Sequence, residues 1–174
     1  MSALFRLVLA GLLVSSAHSA QAQIEGALNT VRLYSAAFAA ADCEAIYALT
    51  APALKAREQD PSLLAQQLCS LAESLKTSNT AEALGEPIAY LEQDQYRLAI
   101  VPFQRSGKVS SSQSRTLVTK AQYWVHSADG GATWKVLDLG CIDARWAKLV
   151  YPPYAGFPPA QPAQAELLPT ESAP

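Results

Sequence analysis

The chain has 174 residues, 50% of them hydrophobic by type and 16% charged, with a formal net charge of −2. That length suits one domain with a buried core. The slight acidic balance and the scatter of Arg and Lys exclude the basic field that nucleic acid or an anionic membrane surface requires.

The N-terminus, MSALFRLVLAGLLVSSAHSAQAQ, reads as a leader. Arg6 precedes an apolar run from Leu7 to Val14, and Ala20-Gln21-Ala22 forms an A-x-A site. Residues 1–22 are therefore expected to be a signal peptide cleaved after Ala22. The run is short for a bilayer span, and no Cys follows it to carry a lipid. The mature chain is expected to be periplasmic or secreted, with one domain over residues 23–151 and a tail over 152–174.

Helical signals come first. From Glu25 to Ala41 an apolar stripe runs through Leu28, Val31, Ser35 and Phe38, and Ile24 extends it backwards. Asp42 suits the N-cap of a second helix, CEAIYAL, with Glu44 in its first turn. Thr50 suits the next N-cap, and Pro52 falls early in the turn that follows. Asp60 and Pro61 then open a longer helix that places Leu64, Leu68, Leu71 and Leu75 on one face.

The period shifts towards two after Leu84. EPIAYLEQ and QYRLAIVPF read as strands joined by a tight turn near Asp94. The second is apolar on both faces, with Tyr96, Leu98 and Ile100 on one and Ala99, Val101 and Phe103 on the other, so cover is expected on both. Pro102 predicts an edge or a bulge. RSGKVSSSQS reads as a loop. RTLVTKAQYWVHS and TWKVLDLG form a second hairpin across ADGG. Helices followed by about four antiparallel strands predict an α+β fold, with the helices packed on one face of a curved, cone-like sheet. The segment CIDARWAKLVYPPY closes the domain as a final strand or strap. Prolines crowd the chain from Pro152 onward, which predicts an extended or disordered tail.

SADGGATW fits the Asp-box pattern S-x-D-x-G-x-T-W. Asp129 suits backbone N–H acceptance across the turn, Gly130 and Gly131 supply positive φ, Ser127 and Thr133 offer hydroxyls, and Trp134 can pack beneath. One copy in a chain too short for a propeller, with no marked carboxylate pair, makes it a structural turn rather than part of a glycosidase site.

Three cysteines allow three pairings. In an oxidising compartment Cys43 with Cys69 is the expected bridge, since both fall in the helical half. Metal is not expected: C-x-x-C is absent and His126 is the one histidine after the leader. A hydrolase is not expected, because the chain has no G-x-S-x-G elbow, and no cofactor is expected, because DGGATW opens a strand, not a phosphate-cradling helix.

SAAFAAADCEAIYALTAPALKA, the later leucine helix and the hairpins ending in YWVHSADGGATWKVLDL together resemble the nuclear transport factor 2-like (SnoaL-like) superfamily. The likeness covers residues 25–150 and is closest to small exported bacterial members with no assigned activity. It implies a curved sheet wrapped around helices, often with a pocket at the open end. The superfamily includes isomerases, dehydratases, cyclases and non-catalytic binding domains, so fold alone does not select a function.

The resulting expectation is a non-catalytic exported module that holds a small apolar molecule or a protein partner. Tyr90, Tyr96, Phe103, Tyr123 and Trp124 are its candidate pocket residues. The rival expectation is an isomerase- or dehydratase-type enzyme with His126 as general base in the cone, oriented by Asp129 or Asp138. A third is a contact role through the outer sheet face, as in a homodimer.

Overall fold

The computed structural model describes residues 3–56, 60–109, 115–141 and 161–169. Within them, helix α1 (Ala3–Ala40) is followed by α2 (Cys43–Leu49), α3 (Pro52–Lys55) and α4 (Pro61–Thr77). The buried stripe of α1 is Ala27, Val31, Tyr34, Ala37 and Phe38. Leu28 and Ser35, expected on that stripe, are only half-buried. The contact is instead carried by small residues and a tyrosine, which hydrophobic periodicity underweights. Ala41 adopts φ 56°, and Asp42 N–H reaches the Ala37 carbonyl at 2.8 Å, closing α1 with a left-handed residue.

Asp42 caps α2 as expected, accepting from Ala45 N–H at 3.1 Å. Thr50 does not cap α3. Its hydroxyl donates back to the Ile46 carbonyl at 2.8 Å and closes α2. The N-cap of α3 is Ala51, which has no capping side chain; its backbone N–H is taken by the Val136 carbonyl at 2.8 Å. Docking on a strand thus replaces side-chain capping. Asp60 caps α4 through Ser62 N–H at 2.9 Å, with Pro61 at the first helical position. Leu64, Leu68 and Ala72 bury, and Leu71 and Leu75 pack at the margin of the same core.

The strands are β1 (Ala81–Leu84), β2 (Ala89–Gln93), β3 (Tyr96–Val109), β4 (Arg115–Ser127), β5 (Lys135–Asp138) and β6 (Gln164–Pro169). They make one open antiparallel sheet, so the fold is α+β, with six strands described where about four were expected. β1 has the sequence AEAL, which carries no strand propensity of its own. β3 runs on through Arg105 to Val109, where a loop was expected. Part of the expected tail is described, and there Gln164–Pro169 pairs with β4 over Arg115–Lys120. The closing segment after Cys141 lies outside the described residues.

The long β3–β4 pair is the spine. β1 and β2 both lie along the other edge of β3, while β5 and β6 lie along the other edge of β4. Pro102 occupies the break between β1 and β2. Its carbonyl accepts Gly85 N–H at 2.8 Å, so its ring nitrogen faces the same gap, where no ladder bond is needed. The predicted edge is there, and pairing with β4 continues through Pro102 without a bulge.

Both faces of β3 are covered. Ala99, Val101, Phe103, Tyr123, Val125 and Val136 meet α1, α2 and α4 in one buried cluster. Leu98, Ile100, Trp124, Leu137 and Leu139 form a second cluster on the opposite face with Ala51, flanked by Ala53 and Leu54 of α3. The chain passes between these faces where Thr50 bridges Val136 in parallel.

Cys43 and Cys69 are bonded, joining α2 to α4 across 26 residues. Closing a loop of that length restricts the unfolded chain by about 3–4 kcal/mol in the chain-entropy account. The paired variant Cys43→Ala/Cys69→Ala is expected to lose stability of that order in urea unfolding, whereas Cys141→Ala leaves the loop term untouched.

Candidate functional site

The Asp-box closes the β4–β5 turn. Asp129 accepts from Thr133 N–H at 2.9 Å and Thr133 Oγ1 at 2.7 Å, and Ser127 Oγ donates to Asp129 at 2.7 Å. The same Ser127 oxygen accepts from Gly131 N–H at 2.8 Å. Gly130 and Gly131 have φ 71° and 93°, a region that disfavours side chains. Trp134 is buried, and a Cβ on Gly26 would lie 3.0 Å from its Nε1. Glycine at position 26 therefore lets α1 approach the indole. The hydrogen bonds from Thr133 and Ser127 hold the Asp129 carboxyl down at about 2. Every polar signature residue bonds within the turn, and the tryptophan fixes it to α1.

His126 lies beside this turn, paired with Leu98 of β3 and Lys135 of β5. It alternates with Val125, which faces the helices, so His126 projects from the opposite face with Trp124. There it stacks on Tyr96 with ring centroids 5.9 Å apart. Burial lowers its pKa to about 4, against a smaller opposing pull from Asp129. The imidazole is thus neutral near pH 7 and lies on the face opposite the α1–α4 cluster.

The five candidate aromatics divide between the two faces. Phe103 and Tyr123 stack under the helices, 4.2 Å between centroids. Tyr90 packs at the margin of that core. Its hydroxyl donates to Glu92 at 2.9 Å, and its pKa is pushed up to about 12 by burial and then by Glu92. Trp124 and Tyr96 belong to the opposite cluster. Of the three cavities described, Phe103 lines one, and the other four aromatics line none.

The chemistry-bearing group lies deeper in the cleft between helices and sheet. Arg105 is 7% exposed and projects inward from β3. Its Nε donates to Glu82 of β1 at 2.5 Å, and its Nη2 donates to Asp138 of β5 at 2.7 Å and to the Tyr123 hydroxyl of β4 at 2.5 Å. The Tyr123 hydroxyl in turn donates to Glu82 at 2.8 Å. Asp138 also accepts Gly140 N–H at 2.8 Å and the Cys141 thiol at 3.1 Å. The guanidinium carbon sits 4.4 Å from the Phe103 ring centre and 5.4 Å from that of Phe38.

The electrostatics follow from this packing. Burial alone would lower the Arg105 pKa; Asp138, then Tyr123, Cys141 and Glu82, outweigh it and hold the guanidinium above its ordinary value. Burial and Asp138 push both the Tyr123 phenol and the Cys141 thiol well up. Cys141 is therefore a thiol at neutral pH, not an activated nucleophile. Among the described residues no group of His, Cys, Asp and Glu is placed to hold a metal ion.

Strand parity carried a signal for this cluster. Arg105 continues the inward alternation of Val101 and Phe103, but it falls at the head of a Ser- and Gly-rich stretch that reads as loop. Glu82 faces Arg105 in register and Asp138 faces Tyr123, a convergence visible only once the pairing is known. The chain matches no family model, no curated protein and no solved structure.

Asp129→Ala is expected to lower the melting temperature. Because the folded carboxyl titrates below its ordinary value of 3.8, its contribution is full above that pH and is lost as pH falls through about 2. Differential scanning calorimetry of both proteins from pH 6 downward should therefore show the gap narrowing across that window. Arg105→Met leaves Glu82 and Asp138 buried without their cation and is expected to cost about 3–5 kcal/mol in urea unfolding. Glu82→Gln, which keeps a hydrogen-bond acceptor, is expected to cost less.

Proposed function

We propose that the chain is an exported, non-catalytic binding module of the nuclear transport factor 2-like type. Export is supported by the leader pattern of Arg6, Leu7–Val14 and Ala20–Ala22. The Cys43–Cys69 bond adds to it, because such bonds persist in oxidising compartments. No helix among the described residues is long and apolar enough to cross a membrane. Helices packed against an antiparallel sheet, with a polar cluster set in the cleft between them, support the family reading.

One observation carries the non-catalytic reading: the acid, base and thiol groups inside the cleft bond to one another. Arg105 holds Glu82, Tyr123 and Asp138, and Asp138 holds the Cys141 thiol. Proton transfer needs a group within hydrogen-bond reach of substrate and with a pKa near the working pH. Tyr123 and Cys141 are shifted away from that range, and His126 is on the other face. The cluster stabilises the cleft, and the apolar surface around it is what a small molecule meets.

Native mass spectrometry of the protein recovered from the periplasmic fraction tests this. The expected species is a chain beginning at Gln23, with one disulfide and a non-covalent small molecule that organic solvent releases. Retention of the leader overturns the export reading. A processed chain with no retained mass overturns the binding reading.

A further inference from the structure

A cavity of about 380 Å³ opens beside Arg105 on its α4–β4 side, within the size range of small-molecule sites. Leu71 and Leu75 of α4 and Leu117 of β4 supply apolar walls, Arg105 and Cys141 form a polar end, and the exposed Lys108 also borders it. Leu117 is 39% exposed, so the apolar wall is accessible from outside.

The guanidinium bonds can be followed one by one. Nε is used by Glu82, and Nη2 by Tyr123 and Asp138. Nη1 has the Cys141 sulfur at 3.8 Å, a long contact to a weak acceptor. Neither of the two N–H groups of Nη1 therefore has an oxygen acceptor among the described residues, and Nη1 lies at the Cys141 end of the cavity. Such an N–H can take an acceptor on a bound molecule without breaking any bond to Glu82, Tyr123 or Asp138.

The neighbours also select the ligand's charge. Two carboxylates, Glu82 and Asp138, already meet the one guanidinium, which leaves a surplus of negative charge behind Nη1. A ligand carboxylate adds a third anion in a region of low polarity, whereas a carbonyl oxygen adds none. Lys108 is solvated and offsets little of this.

We propose that this cavity binds a neutral apolar molecule with one acceptor oxygen, such as a ketone or ester, its oxygen on Arg105 Nη1 and its hydrocarbon between Leu71, Leu75 and Leu117. The proposal rests on the binding-module reading and names the class of ligand.

The test uses the full mature chain with its disulfide intact, titrated with 2-decanone and, separately, with decanoate. Leucine methyl and arginine side-chain resonances are followed by NMR. The ketone is expected to saturate, to shift the Arg105 N–H signals and the Leu117 methyls, and to bind at least about tenfold tighter than decanoate, a difference of about 1.4 kcal/mol. Ser74 is exposed on α4 and borders the cavity. Ser74→Trp is expected to weaken ketone binding by about tenfold or more with the melting temperature held. Decanoate binding as tightly as the ketone overturns the proposal. So does saturation without any shift at Arg105 and Leu117, or the absence of saturation by either probe. A natural molecule retained in native mass spectra alongside any of those outcomes leaves the binding reading standing and removes only this ligand class.

Discussion

A guanidinium enclosed by aromatic rings is the constraint to which the rest of the structure answers. Arg105 cannot lose its charge, and so deep in the cleft it needs anions at hydrogen-bond distance. Glu82 comes from β1 and Asp138 from β5, on opposite margins of the sheet. Holding both on one cation sets where those margins lie. The stacking of Phe103 on Tyr123 and the seat of the Cys141 thiol depend on that arrangement. Apolar packing alone tolerates sliding, whereas hydrogen bonds fixed in direction do not. The cluster contributes definition to the cleft more than it contributes energy.

The Asp-box turn acts in the same way just beyond the C-terminal end of β4. Asp129 and Thr133 are exposed and Ser127 is buried, and their side chains bond to one another across the loop. Trp134 passes that geometry to α1 through the close approach at Gly26. The sugar-enzyme association of the motif has no counterpart in its surroundings: the Asp129 carboxyl is committed to Thr133 and Ser127. The motif positions a helix against a hairpin.

Local rules were enough for much of this fold. Caps at Asp42 and Asp60, the leucine face of α4, the two-sided apolar pattern around Ile100, the break at Pro102 and the Asp-box turn are each decided within a few residues. What local rules miss is decided at a distance. AEAL becomes a strand only because β3 offers it an edge, and QAELLP because β4 does. Thr50 leaves the role of N-cap because a strand carbonyl does that work for Ala51. Tyr34 buries because Tyr123 and Phe38 surround it. The candidate site was the least legible part, since its charged members come from three separate strands and each alone resembles an ordinary surface residue.

The bridge between Thr50 and Val136 has a consequence for how the chain acquires its structure. The turn at α3 has no cap of its own and is held by a carbonyl 85 residues further along, while at the end of α2 the Ala48 carbonyl accepts from Lys135 Nζ at 2.8 Å across 87 residues. Contacts so distant in sequence close late, because a long loop must be ordered before they form. The first half of the chain is therefore unfinished until almost the last strand is present. A polypeptide emerging from its N-terminus cannot complete the bonds at the end of α2 and the start of α3 until β5 has been made.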